Sequence, residues 1–461
     1  MTKKVTIKRT ALVEQPLKTS AATGATLACM GLDNSIPLMH GSQGCGAFAK
    51  VYLIQHYREP IPLQNTAIDH IAAVMGGDDN LSSALKLLCE KHQASLIIVM
   101  TTGLTEMQGC DVARVVREFK VQNPQFATSH IVSVTTPDFS GSMQSGFAST
   151  IEACVQQLLV DKQLSVPKPS EQIQQLNVFA SCALTSADLE LITRYCEAFG
   201  FNVVLLPNLS DSLDGHLAEE DFSVTSTGGT SLSKLASSVY STASLVFGDS
   251  MLPAASLLEK HFNIPSVAMG TGMGMQQSDL LVMKLAELSN KPVPQWITRQ
   301  RKRLQDALLD CHFLLSDAKA ALALEPDAAA GYCTLLAEVG VSAELVVTTL
   351  NTPNLDQLAA QNVVVGDLSD LAGVVDDCEL VVGNTHCANT CEPSTPVLRA
   401  GFPCHDRFGN SDILQVGYEG ARQRLFAMAN LLKANHQDEV PAHKSAYRFE
   451  PASCTSLPLD S

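Results

Sequence analysis

At roughly 150 residues per domain, a chain of 461 residues accommodates about three domains, each able to bury its own core. Hydrophobic residues make up 46% of it and charged residues only 17%, which excludes a disordered chain. The formal net charge of -16 argues against a nucleic-acid or membrane-surface partner, since polyanions repel an acidic surface, and otherwise serves solubility.

The basic start Met1-Thr2-Lys3-Lys4 is not followed by an apolar segment, so no secretory signal is expected. No apolar run reaches the 18 or so residues of a membrane span. With neither feature, a cytoplasmic location is expected, with the fourteen cysteines as reduced, mostly buried thiols.

Short apolar strands alternate with amphipathic helices along the chain, the pattern of α/β units around parallel sheets. Leu96-Ile97-Ile98-Val99-Met100 reads as a buried strand, and Cys110–Lys120 as a helix with Val112, Val115, Val116 and Phe119 on one face. Asn177–Ala180 is the next strand. Thr185 and Asp188 then have capping-box spacing before a stripe of Leu189, Ile192, Cys196 and Phe199 that Gly200 stops. Strands follow at Asn202–Leu206, Leu245–Phe247 and Ser266–Ala268, with a helix near Ala254–His261. A charged helix, Trp296–Asp310, bridges the second and third regions; its Arg299, Arg301, Lys302 and Arg303 read as a solvated face. Beyond it come a helix near Ala328–Val339 and strands at Leu345–Val347 and Leu380–Val382. The expected domains are 1–165, 166–295 and 296–461, with a tail after about Lys444 that wraps onto another domain.

Three groups of residues invite a chemical reading. In His40-Gly41-Ser42-Gln43-Gly44-Cys45, two glycines allow close approach of backbone to a bulky inorganic group, which suits Cys45 as an iron–sulfur ligand. A tight strand-to-helix turn with an incidental cysteine fits the same residues. Cys378, His386, Cys387, Cys391, Cys404 and His405 concentrate near the C-terminus, but without regular zinc spacing; buried cysteines at strand ends explain them better than a metal site. Gly270–Gly274 lacks the full dinucleotide fingerprint, and Gly228-Gly229-Thr230-Ser231 lacks the lysine of a P-loop, so both read as structural loops. Asp78-Asp79 and Asp376-Asp377 read as helix-start or surface charge. No nucleophile elbow or His-Glu-x-x-His motif is present.

Pro37–Cys45, Arg58–Ala67, Thr101–Glu106, Gly228–Leu232, Trp296–His312, Val382–His386 and Arg399–Pro403, in that order, resemble the β subunits of the nitrogenase molybdenum–iron protein and their cofactor-assembly paralogues. The resemblance spans nearly the whole chain. It implies three Rossmann-like α/β domains with mainly parallel sheets. It also implies a scaffold role in iron–molybdenum cofactor biosynthesis. In such a scaffold the chain pairs with the α-like NifE in an α2β2-type heterotetramer. NifB donates the precursor, the iron protein NifH works with the complex, and the precursor is held mainly by the α-like partner.

Residue by residue, the resemblance makes Cys45 the one thiolate this chain gives to a [4Fe-4S] cluster shared with that partner. Ser20 and Gly103 stand where catalytic β subunits carry further cluster cysteines, and Asp138 where they carry a serine ligand. Met75 falls at the position that presents an apolar side chain to the iron protein; a core methionine is the competing reading. Two relatives of the scaffold reading remain open here: a β-like subunit of a catalytic nitrogenase-type reductase, and the assembly paralogue of an alternative nitrogenase. A plain α/β binding protein without a cluster is the third.

Overall fold

A computed structural model describes residues 5–8, 13, 15–92, 94–164, 174–217 and 223–437. The start Met1–Lys4 and the tail after Lys444 lie outside these residues.

Three parallel sheets organise the chain. The first has the strand order Gln64–Asn65, Ser35–Met39, Leu96–Met100, His130–Val134. Every residue of Ser35–Met39 and of Leu96–Met100 is buried, as a sheet covered on both faces requires. Alternation sorts them: Ile97 and Val99 meet Leu81, Leu85, Val112, Val115, Val116 and Phe119 on one face. Leu96, Ile98 and Met100 join Ala22, Ala25, Met143, Phe147 and Ile151 in the main core on the other.

The second sheet has the order Asn202–Leu206, Gln175–Ala180, Ala243–Phe247, Ser266–Ala268. The third has six strands: Val5–Ile7, Asn362–Val365, Ser342–Thr348, Lys319–Ala323, Leu380–Gly383 and Val397–Arg399. Its edge strand comes from the start of the chain, with Val5 opposite Val363.

The bridging helix runs Gln295–Leu315 and packs against a C-terminal helix, Gly417–Gln437. Lys302, Arg303 and Arg299 are exposed as expected, but Arg301 forks onto Asp279 with two 2.9 Å hydrogen bonds, and Tyr418 donates to the same carboxylate at 2.6 Å. The basic run therefore contains one structural arginine.

Both glycine-rich stretches are structural. Gly228 and Gly229 adopt φ of 76° and 91°, and a Cβ on Gly229 would lie 2.7 Å from the Gly31 carbonyl carbon. Gly274 opens the helix Gly274–Ser289, whose first amides at Met275 and Gln276 donate to the Glu338 carboxylate at 2.6 and 2.8 Å. That acid occupies the place a phosphate would take.

Two helices of the first unit, Ala21–Met30 and Met143–Cys154, meet backbone to backbone. A Cβ on Gly24 would stand 1.8 Å from the Met143 carbonyl oxygen, and one on Gly146 1.8 Å from that of Ala21. The second helix also ties the sheets together. Ser142 donates to Glu325 at 2.8 Å, and the Asp327 amide donates to Gln144 at 2.9 Å. Asp327 in turn accepts from the Ser250 hydroxyl of the second unit at 2.5 Å.

Because the atoms facing Gly146 are backbone, they have no rotamer with which to yield. Gly146→Ala is expected to destabilise the protein by about 1–3 kcal/mol, the range for overpacked cores. Urea denaturation checks this; an unchanged midpoint would show that the helices separate freely.

Candidate metal-cluster site at Cys45

The buried strand Ser35–Met39 delivers the chain into a turn at His40–Ser42, from which the helix Gln43–Tyr57 departs. Gly41 is demanded by packing, since a Cβ there would sit 2.5 Å from Thr102 Cγ2. Asn65 holds the turn by donating to the Ser42 carbonyl at 3.0 Å. His40 is fully buried, with Nδ1 paired to Thr66 Oγ1 at 3.0 Å and Nε2 3.4 Å from Cys110 Sγ. Burial pushes its pKa down to about 4, so it stays neutral and serves the core.

Cys45 occupies the first turn of the departing helix and is exposed. Its Sγ lies 3.3 Å from Ser42 Oγ. A Cβ on Gly44 would meet nothing within 4 Å, so the backbone beside the thiol is open to a bulky group. The helix N-terminus favours negative charge there.

Cys45 opens onto a cleft of about 270 Å³ whose walls include Lys18, Ser20, Phe48, Tyr52, Asp138 and His386. Ser20 caps the helix Ala21–Met30, accepting from the Ala22 amide at 3.2 Å. Its hydroxyl donates to Asp138 at 2.8 Å, and the same carboxylate oxygen accepts from the Ala21 amide at 3.0 Å. Lys18 donates to the Asp138 carbonyl at 2.5 Å. Burial lowers the Lys18 pKa, opposed by the charges of Asp138 and Glu325. Ser20 and Asp138 are thus engaged with one another as a helix cap.

His386 comes from the third unit, in the short helix Thr385–Thr390. Its ring stands edge-on to Tyr52 at 6.0 Å and 5.5 Å from the ring of His405. Burial, with the neighbouring His405 charge, lowers its pKa and keeps it neutral near pH 7. From sequence it belongs to the C-terminal Cys/His concentration; only the fold brings it to Cys45.

The remaining candidates lie elsewhere. Gly103 starts the helix Gly103–Met107, and a Cβ there would meet nothing within 4 Å, so the lack of a side chain is not forced by packing. Met75 ends the helix His70–Met75 and is 81% exposed, beside Ile71 at 73% and Val74 at 85%. It is therefore a surface methionine on an apolar patch and not a core residue. Cys387 and Cys404 are buried and Cys391 is half-buried. Among the described residues, no group of three or more His, Cys, Asp or Glu side chains is placed to hold a metal ion. The described cysteines are all free thiols. Among the described residues no helix is long and apolar enough to cross a membrane.

As a donor set, the cleft fits one corner of an iron–sulfur cluster. It offers a single accessible thiol with open backbone beside it, where a cubane cluster normally takes four thiolates.

The cleft with this one thiol is walled by residues of the first and third of three parallel-sheet units, an α/β architecture. The solved structure titled "Nitrogenase Cp1 at pH 6.5" superposes with a TM-score of 0.85 at 27% identity, covering 96% of this chain and 98% of that one. Residues 20–433 match the family model described as "Nitrogenase component 1 type Oxidoreductase". A Klebsiella pneumoniae protein is 38% identical over 448 residues, 96% of each chain. A Nostoc protein is 39% identical over 429 residues, 93% of this chain and 95% of its own. Both carry the name "Nitrogenase iron-molybdenum cofactor biosynthesis protein NifN". The chain belongs to the nitrogenase component 1 type oxidoreductases, within the branch of the NifN proteins.

The geometry separates a structural residue from a ligand candidate. Asp138→Ala leaves the Ser20 hydroxyl and the Ala21 amide without their acceptor and should cost about 1–3 kcal/mol. Cys45→Ala, at an exposed position, should change the isolated chain's stability by no more than about 0.5 kcal/mol. Thermal unfolding of the two variants without metal compares them; equal losses would contradict these roles.

Proposed function

We propose that this chain is a scaffold subunit for building the iron–molybdenum cofactor of nitrogenase, and that Cys45 is its one thiolate in a [4Fe-4S] cluster completed by NifE. The observation that carries this reading is the ligand count in the cleft. One thiol faces it, while of the three residues standing at other ligand positions Ser20 and Asp138 are hydrogen-bonded to each other and Gly103 has no side chain. A cubane cluster held here needs three thiolates from another chain. When bound, such a cluster supplies one-electron chemistry or a structural link. This chain's residues shape its pocket: Cys45 ligates, Gly44 leaves room, and Tyr52 and His386 wall the cleft.

The Cys45 helix also supports a partner at this face. Phe48, Val51 and Ile54 are exposed apolar side chains at successive turns, 70%, 49% and 39% accessible, as an interface helix presents them. The relatives' name favours biosynthesis over dinitrogen reduction. On this reading the pair assembles as an α2β2-type heterotetramer in the cytoplasm, NifB delivers the precursor, and the α-like subunit holds it. The same reading divides the chain near residues 165 and 295. Met75, with Ile71 and Val74, is the docking patch for the iron protein, a role suited to methionine's adaptable side chain.

Anaerobic co-purification with the α-like partner tests both assignments. Cys45→Ala should lower iron by about one cubane's share per pair and remove its paramagnetic resonance signal; full retention of both would refute the ligand role. Met75→Asp should leave the iron unchanged but weaken binding of the iron protein by roughly tenfold or more, as loss of a central apolar contact does. Unaltered affinity in a pull-down titration would place docking elsewhere.

A further inference from the structure

Two of the C-terminal cysteines that the cluster site leaves unused are arranged as a pair. Cys387 and Cys391 lie one helical turn apart at the end of the helix Thr385–Thr390, which follows the third-sheet strand Leu380–Gly383. Cys387 has no exposed surface. Its sulfur lies tight against the strand, where a Cβ on Gly383 would approach it to 2.6 Å. Cys391 is the residue at which the helix ends, half-buried, with extended backbone at φ -89° and ψ 156°. That turn carries its Sγ back over Cys387, where in its protonated form it donates to the Cys387 carbonyl at 3.3 Å.

Across that one turn each thiol acts on the other's proton. The consequence is asymmetric. The neighbouring Cys387 thiol holds the Cys391 thiol below the ordinary range, helped by Thr390 and the Arg399 charge against the cost of burial. The same contact, with burial, pushes Cys387 upward. Arg399 is held in place by Asp406 through a 2.8 Å hydrogen bond. An accessible thiol of lowered pKa beside a cation, backed by a buried second thiol, is the arrangement of an attacking and a resolving sulfur.

We propose that Cys387 and Cys391 form a redox-active dithiol that a low-molecular-weight disulfide of the glutathione class oxidises to an intramolecular disulfide. In the first step the Cys391 thiolate attacks one sulfur of glutathione disulfide. That S–S bond breaks, a mixed disulfide forms on Cys391, and one glutathione leaves as its thiolate. Cys387 then no longer faces a thiolate, so the largest influence holding its proton is gone. It gives that proton to the leaving side, attacks the Cys391 sulfur, and displaces the second glutathione. Two electrons pass from the cysteine pair to the glutathione disulfide, which ends as two reduced molecules. The helix bearing the pair also carries His386 into the Cys45 cleft, one residue before Cys387, so the bond forms directly beside a wall of the cluster site.

The test uses the full wild-type chain, equilibrated with graded ratios of reduced to oxidised glutathione, then alkylated and mapped by peptide mass spectrometry. The expected result is that Cys391 alkylates at pH 7 at least about tenfold faster than the buried cysteines in the reduced chain. Oxidation should then protect Cys387 and Cys391 together. Cys387→Ser should trap a glutathione adduct on Cys391, whereas Cys391→Ser should leave Cys387 reduced. Two findings would overturn the proposal: alkylation of Cys391 at the rate of the buried thiols, or both sulfurs remaining free in the wild-type chain under excess oxidised glutathione.

Discussion

The contact on which the rest of this structure depends is the crossing of two helices at Gly24 and Gly146. Each glycine lies against the other helix's backbone, at a distance no side chain tolerates. A backbone-to-backbone contact is stiffer than one between side chains, because nothing in it can change rotamer. Both ends of the crossing lead to contacts that the wider fold uses. The Ala21–Met30 helix begins at Ser20, on the wall of the Cys45 cleft. The Met143–Cys154 helix begins at Ser142, which with Gln144 grips Glu325 and the amide of Asp327 in the third unit. The position of the third unit, and with it of His386 in the cleft, is registered through this crossing together with the bonds that the Cys404 amide and Asn410 make to His56.

Local order was legible in the sequence wherever one segment contained the whole cause. The run Leu96–Met100 is apolar at every position because both faces of its sheet are covered. The capping box at Thr185 forms with reciprocal hydrogen bonds of 3.1 Å. Yet Asp188 also accepts from the amides of Gln415 and Val416 at 2.7 and 3.0 Å, which its spacing could not reveal. The Val5–Ile7 strand has only three residues and owes its existence to Asn362–Val365. The Gly417–Gln437 helix was hidden by two glycines in its first turn. Its buried stripe of Tyr418, Ala421, Leu425, Met428 and Leu432 is regular once the start is known.

The site was legible in part for the same reason. Cys45 stands out because its neighbours are glycines, and the turn they make is local. Gly41 answers to Thr102 and Gly44 to open space, so two similar residues in one motif have different causes. The hydrogen bond of Ser20 with Asp138 joins distant parts of the chain, and the cleft that Cys45 and His386 both line joins two units. Neither has a spacing that pattern reading can detect. A family resemblance can point to the positions. Only the coordinates show that Ser20 and Asp138 are committed to a helix cap, as a hydroxyl and a carboxylate suit.

That commitment bears on how a shared cluster would behave. A group bound only by the assembled pair stabilises the pair and not the separate chains, by mass action. If Cys45 supplies one thiolate of four, this chain alone has too few ligands to retain the cluster, and cluster binding becomes linked to subunit association. The exposed Phe48, Val51 and Ile54 extend the same logic, since on the proposed pairing this apolar helix face beside the thiol would be covered only when the partner arrives. A chain with several cluster thiols of its own could bind iron before finding its partner. On the proposed ligation, spending the positions of Ser20 and Asp138 on a helix cap would remove that possibility and would make metal content a report on correct assembly.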